Sequence, residues 1–265
     1  MPSQKPTRRP RPIPKPSRRT RVTASNLRRA DGPLCAVLFD AVGTLLRPVP
    51  CVADVYAAAG RRHGIDLSTA EVGRRFALAF ARQEQIDRRW LAGRTSEPRE
   101  LQRWRRIVRR VFGQVAALEA IFAELWEHFG QPGSWQLDPA VGEVWRQLAA
   151  AGYVLGIASN FDGRLLDICR AMPELAGCPH VFVSSQIGCK KPSRGFFRTI
   201  EQRLGLAGGQ IMLVGDDLDN DYLAARTAGW QAVLLDPAGE QPELAAIAGL
   251  GRLPARLVSR HIHVP

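Results

Sequence analysis

Five short apolar runs recur along this chain: LCAVLF, YVLGIAS, HVFVSS, QIMLVG and QAVLL. Runs of this length and β-branched content read as buried strands, and several stop at Asp, Asn or Ser. Helical patterns separate the later ones. Residues 138–151, DPAVGEVWRQLAAA, offer Asp138 as an N-cap and Pro139 as the first helical residue. Residues 219–229, DNDYLAARTAG, end on Gly229, a natural C-cap. Strands that alternate with helices predict an α/β, Rossmann-like core: a parallel sheet covered by helices, with its chemistry at the carboxyl ends of the strands.

Residues 49–135 break that rhythm and read as helical throughout. The stretch STAE, Ser68 to Glu71, is a capping box. In RWRRIVRRV, residues Trp104, Ile107, Val108 and Val111 share one helical face and the arginines take the other, as a solvated face. IFAELWEHF, Ile121 to Phe129, repeats the amphipathic pattern. The expected organisation is therefore an α/β core over residues 32–48 and 136–257, interrupted by a helical insertion at 49–135 and followed by a tail at 258–265.

Charge is unevenly spread. Ten of the 37 basic residues lie within the first 30 positions, where there is no acid, and the rest of the chain holds 27 bases against 25 acids. The net charge of +12 thus belongs mainly to a Pro- and Arg-rich segment, residues 1–31, that cannot build a core. Such a segment reads as a solvated extension, or as an electrostatic arm for nucleic acid or an acidic surface. No aromatic residue interleaves its basic ones, so base stacking is not indicated. The chain has no apolar run near 18 residues and no apolar leader, so neither a membrane span nor a secretory signal is expected. Its five cysteines are scattered without C-x-x-C spacing. They read as reduced thiols of a cytoplasmic protein, with no structural zinc site.

Four chemically capable features follow apolar runs in order: Asp40, Ser159-Asn160, Lys191-Pro192 and GDDLDND from Gly215 to Asp221. A parallel sheet would gather them along one edge. Several carboxylates in one cleft repel each other, and a lysine and a divalent cation relieve that repulsion. Oxygen ligands suit Mg²⁺. Together with a hydroxyl donor they make a phosphoryl clamp, and a facing carboxylate can act as nucleophile.

In these stretches, FDAVGTL, IASN, KKP and GDDLDND, the chain resembles the haloacid dehalogenase (HAD) superfamily over about residues 34–257. The helical insertion between the first two resembles the family's helical cap. The stretches WRRIVRRVFG, LWEHFG and IASNFDGRL are similar to its rhythmically-expressed-gene-like branch. The resemblance implies Asp40 as nucleophile, with Asp40, the Val42 backbone carbonyl, Asp216 and Asp221 as Mg²⁺ ligands and Asp217 as a substitute ligand. It implies Ser159 on the phosphoryl oxygen beside Asn160, Lys191 neutralising the charge, and Thr44 supporting the turn. Thr44 and Asn160 are therefore taken as substrate-side residues. The implied substrate is a small phosphorylated molecule, handled through an aspartyl-phosphate.

One position departs from that pattern. The family's phosphatases usually carry a second Asp two residues after the nucleophile, as acid and base. This chain has Val42 there, which moves no proton. Weak or specialised phosphatase chemistry is expected. Two other readings fit an apolar residue at this position. One is a metal-independent dehalogenase, since DAVGTL is similar to that branch's pattern. The other is a non-catalytic module that binds phospho-ligands or proteins.

Overall fold

The computed structural model describes residues 33–261, so the basic segment lies outside the described residues. The main sheet has six parallel strands in the order β5-β4-β1-β6-β7-β8. These are β1 Ala36–Phe39, β4 Val154–Ser159, β5 Val181–Val183, β6 Ile211–Gly215, β7 Gln231–Leu235 and β8 Ala246–Ile247. The five apolar runs supply the first five of these, and the two-residue β8 had no signal of its own. Strand β1 lies between β4 and β6, where the strand order reverses, which is where an open α/β sheet leaves a crevice.

Both faces of the sheet are covered, and β1 shows how. Val37 and Phe39 enter one hydrophobic cluster, and Ala36 and Leu38 enter the other, following the two-residue period of a strand. Helices α5 Val141–Ala150, α6 Arg164–Arg170, α7 Pro173–Ala176 and α11 Leu253–His261 supply the first cluster. Helices α9 Arg194–Leu204 and α10 Ala224–Ala228 supply the second, and α8 Ser184–Ile187 links β5 to the loop before α9.

Helices α1 Val52–Arg62, α2 Thr69–Leu91, α3 Glu97–Phe112 and α4 Leu118–His128 form a unit with its own cluster around Tyr56, Ile107, Val111 and Ile121. Ser68 caps α2 by accepting from the Glu71 amide at 3.2 Å. The reciprocal half of the box is replaced, because the Glu71 carboxylate pairs with Arg74 and Arg75. On either side of the unit, β2 Leu46–Pro48 and β3 Trp135–Leu137 pair as an antiparallel ribbon. This ribbon ties together the two places where the chain passes between sheet and helices.

Four details correct the sequence reading. Residue 135 begins a strand rather than ending a helical stretch. Helix α5 begins at Val141, because the Asp138 carboxylate accepts from the Ala140 amide at 2.9 Å and closes a separate turn first. The last helix continues to His261, so 258–261 is not a tail. Arg103 is buried rather than solvated, for the reason given below.

Candidate active site

Strand register builds the site. Phe39 aligns with Ile157 on β4 and with Val214 on β6. The next residues along these three strands are Asp40, Ala158 and Gly215, with Ser159 and Asp216 one further. The Asp40 amide donates to the Val214 carbonyl at 2.8 Å, which holds the strand end in place. The predicted side chains thus arrive at one edge because three parallel strands end together.

Lys191 closes the edge from above. Its Nζ donates to Asp40 Oδ1 at 2.7 Å, to Asp221 Oδ1 at 2.6 Å and to the Ala158 carbonyl at 2.8 Å. Burial alone would push this ammonium down, but the Asp221 and Asp40 charges more than offset it, so the Lys191 pKa is raised and the side chain stays charged. Asn160 fixes the lysine's backbone from both sides. Its Nδ2 donates to the Lys191 carbonyl at 3.0 Å, and its Oδ1 accepts from the Lys191 amide at 2.7 Å.

Asp40, Asp216 and Asp221 present oxygens that all lie within 4.8 Å of one another. Burial pushes Asp221 up to about 7, with Lys191 opposing and the Asp40 charge adding to the shift. Burial and Asp40 also raise Asp216. Three carboxylates against one ammonium leave a formal charge of −2, which one divalent cation would cancel. An all-oxygen donor set of this kind fits Mg²⁺.

The remaining predicted residues divide. Ser159, buried at the end of β4, and Val42, beside Asp40, line the cavity described below. Thr44 donates to Asp216 Oδ1 at 2.9 Å, so its hydroxyl orients a carboxylate. Asp217 departs from its expected place as a substitute ligand. Its carboxylate accepts from the Asp219 and Asn220 amides, both at 2.9 Å, and caps the π-helical turn Leu218–Leu223. Lys190, the neighbouring lysine, pairs with Glu84 and Asp87 of α2 instead of Asp40 and Asp221, which separates it from Lys191.

Two glycines within these motifs are part of the site. Gly43 has φ +97°, and a Cβ there would collide with the Asp216 carboxylate. A Cβ at Gly215 would collide with Asp221. Each lets an acid fold back over the backbone.

A cavity of about 370 Å³ opens from Asp40, Val42 and Asp216 toward α1–α4. At its border stands a second ion cluster. The Arg103 guanidinium pairs with Glu84 and, at 2.9 Å, with Asp87, and Glu100 is 3.8 Å away. Lys190 Nζ donates to Glu84 at 2.9 Å and lies 3.3 Å from Asp87. These acids explain the burial of Arg103, because a buried cation needs paired anions.

The sequence profile of the haloacid dehalogenase-like hydrolases matches residues 35–229. The chain belongs to this family. Haloacid dehalogenase-like hydrolase domain-containing protein 3 of Danio rerio is 29% identical over 236 residues, covering 85% of this chain and 97% of the relative. Among solved structures, a HAD phosphatase from Thermococcus onnurineus is similar at TM-score 0.61 and 24% identity, over 84% of this chain and 98% of its own. The L-2-haloacid dehalogenase RSc1362 is similar at TM-score 0.65 and 21% identity, over 86% of this chain and 100% of its own. Proteins named for two different chemistries therefore share this fold, and the fold alone does not assign either.

Proposed function

We propose that this HAD-like hydrolase is a Mg²⁺-dependent phosphatase that works through Asp40. The observation that carries the reading is the cluster of Asp40, Asp216 and Asp221 with Lys191 bonded across it. Asp40, Asp216, Asp221 and the Val42 carbonyl would hold the ion. When bound, Mg²⁺ would neutralise the carboxylates and polarise the phosphoryl group.

An Asp40 carboxylate oxygen attacks phosphorus, and the bond from phosphorus to the leaving oxygen breaks with its electron pair. Lys191 holds the negative charge, and Ser159 donates to a phosphoryl oxygen. Water then attacks the phosphorus of the aspartyl-phosphate, releasing phosphate and a proton and restoring Asp40. Thr44 and Asn160 act as positioning residues, for Asp216 and Lys191 respectively. Val42 supplies no proton, so the leaving group must depart as an anion of low basicity. Helices α1–α4 serve as a cap over the site, and the substrate is a small phosphorylated molecule. A cytoplasmic location is in keeping with five free thiols.

The test is phosphate release from acetyl phosphate and p-nitrophenyl phosphate. Release that requires Mg²⁺ and disappears in Asp40→Asn supports the reading. The apolar Val42 also favours a second reading, dehalogenation, in which Asp40 attacks carbon and halide leaves unprotonated. Halide release from 2-chloropropionate in EDTA, without phosphate release, would favour that reading instead. Metal binding with no turnover would reduce the site to a binding module.

A further inference from the structure

We infer that the phosphoryl group handled here is carried on an aromatic body, a deeper reading that rests on the proposed phosphatase function. The cavity that starts at Asp40 is walled by nine of the chain's nineteen aromatic residues. Tyr56 and Phe122 belong to the buried cluster of the helical unit, whereas Phe80 is 36% exposed at the cavity's rim, so the wall joins packed and accessible rings. Phe129, Trp135 and Phe161 form a run of edge-to-face contacts at the sheet side, with centroids 6.1 and 5.8 Å apart. Phe76, Phe80 and Trp104 line the helical side, with centroids 6.0 and 6.2 Å apart. An aromatic ring between such walls gains both apolar burial and ring-edge attraction.

The polar atoms along the wall point the same way. Arg103 is paired with Glu84 and Asp87, and Lys190 with the same two acids. Arg164 is paired with Asp162 and donates to the Trp126 carbonyl at 2.7 Å. These cations and anions are already paired with one another, so on this wall a sugar's hydroxyls would compete with existing ion pairs, whereas an aromatic body leaves them intact. About 370 Å³ is at the small end of the range for organic ligands and suits one or two fused rings.

The chemistry agrees with the shape. In an aryl phosphate, Asp40 forms its bond to phosphorus as the aryl–oxygen leaves as a phenolate. The phenolate takes its proton from solvent, and water cleaves the aspartyl-phosphate. No group at position 42 is needed. In an aromatic acyl phosphate a carboxylate leaves instead, with still less need of a proton.

Phosphonates separate binding from turnover, since they are not hydrolysed. Methylphosphonate, benzylphosphonate, cyclohexylmethylphosphonate and 2-naphthylmethylphosphonate are titrated calorimetrically into the full chain with Mg²⁺. The naphthyl compound is expected to bind about 100-fold more tightly than methylphosphonate. Benzyl should exceed cyclohexylmethyl several-fold, and Phe80→Ala, at the exposed rim, should narrow the naphthyl-to-methyl ratio about tenfold. Affinities within threefold across the series, or cyclohexylmethyl equal to benzyl, would overturn the inference. Turnover of 2-naphthyl phosphate and glucose 6-phosphate distinguishes the two levels. Equal Mg²⁺-dependent turnover overturns the aromatic preference and leaves the phosphatase reading standing. A naphthyl preference in binding with no phosphate release from any substrate upholds the preference and removes the phosphatase reading.

Discussion

Replacing Val42 with Asp tests whether a missing proton carrier governs this site. Val42 lines the cavity beside Asp40 and is 37% exposed, so a carboxylate there displaces no core packing. General acid–base help contributes about 10²–10⁴ in rate, equivalent to about 3–5 kcal/mol of barrier. That help matters where the leaving oxygen is strongly basic. A phenol titrates at about 10, and an aliphatic hydroxyl, like water, gives up its proton far less readily. Val42→Asp should therefore raise kcat on glycerol phosphate by about 10²-fold or more and on p-nitrophenyl phosphate by less than about tenfold. The assay is phosphate release at saturating Mg²⁺ over a series of leaving groups, plotted against leaving-group pKa. The wild-type line should be steep and the variant line flatter. Parallel lines, from a variant that keeps its melting temperature and its Mg²⁺ affinity, would refute the reasoning. They would mean that another group already protonates the leaving oxygen, or that phosphoryl transfer is the wrong chemistry.

Lys191→Met leaves Asp40, Asp216 and Asp221 facing one another without their cation. The expected loss is about 3–5 kcal/mol, read as a melting temperature lower by on the order of 10 °C and partly restored by Mg²⁺. Lys190→Met should be destabilising by about 3 kcal/mol, because Glu84 and Asp87 are then left to Arg103; urea titration measures it. Gly43→Ala forces a side chain into the Asp216 carboxylate at a positive φ. Calorimetry should show Mg²⁺ binding at least about tenfold weaker, against a loss of about 1–3 kcal/mol in stability. Thiol labelling at pH 8 should modify the exposed Cys51 and spare the buried Cys169, whose thiol burial pushes up to about 12, until urea opens the core. Mass spectrometry of the labelled peptides checks this.

The parts legible in the sequence share one property: each is written within a few neighbouring residues. The strands show as apolar runs, Asp40, Ser159 and Asp216 show as polar residues at or just beyond strand ends, and Lys191 stands before a proline in the loop between α8 and α9. The helical unit shows in the spacing of Ile107, Val108 and Val111, all buried. What was not legible depends on residues far apart in the chain. Arg103 shares its helix with solvated arginines, and besides its neighbour Glu100 it needs Glu84 and Asp87 of α2, sixteen or more positions away, to make its burial tolerable. Gly43 reads as a turn residue, but the atom it makes room for belongs to Asp216, far along the chain. Thr44 and Asn160 looked like substrate-side residues, yet their partners are Asp216 and Lys191. The aromatic wall draws on residues from Tyr56 to Phe161, which no local pattern groups together.

Lys190 and Lys191 show how the two halves of the structure are held to each other. Consecutive Cα atoms lie about 3.8 Å apart across a trans peptide, so two adjacent side chains cannot be positioned independently. Lys191 reaches the sheet edge, bonding Asp40 and Asp221. Lys190 reaches the helical unit, bonding Glu84 near Asp87. Both ends are acid-rich, but their excess charge is relieved differently. At the sheet edge the formal −2 faces a cavity with room for a divalent cation. In the second cluster, Glu84, Asp87 and Glu100 exceed Lys190 and Arg103 by one charge. There, burial raises the Glu100 pKa, which favours a proton as the compensating charge. One dipeptide thus places a helix-borne ion cluster and the proposed nucleophile at fixed separation. Any movement of α2 and α3 relative to the sheet must either carry Lys190 with it or break its bonds to Glu84 and Asp87.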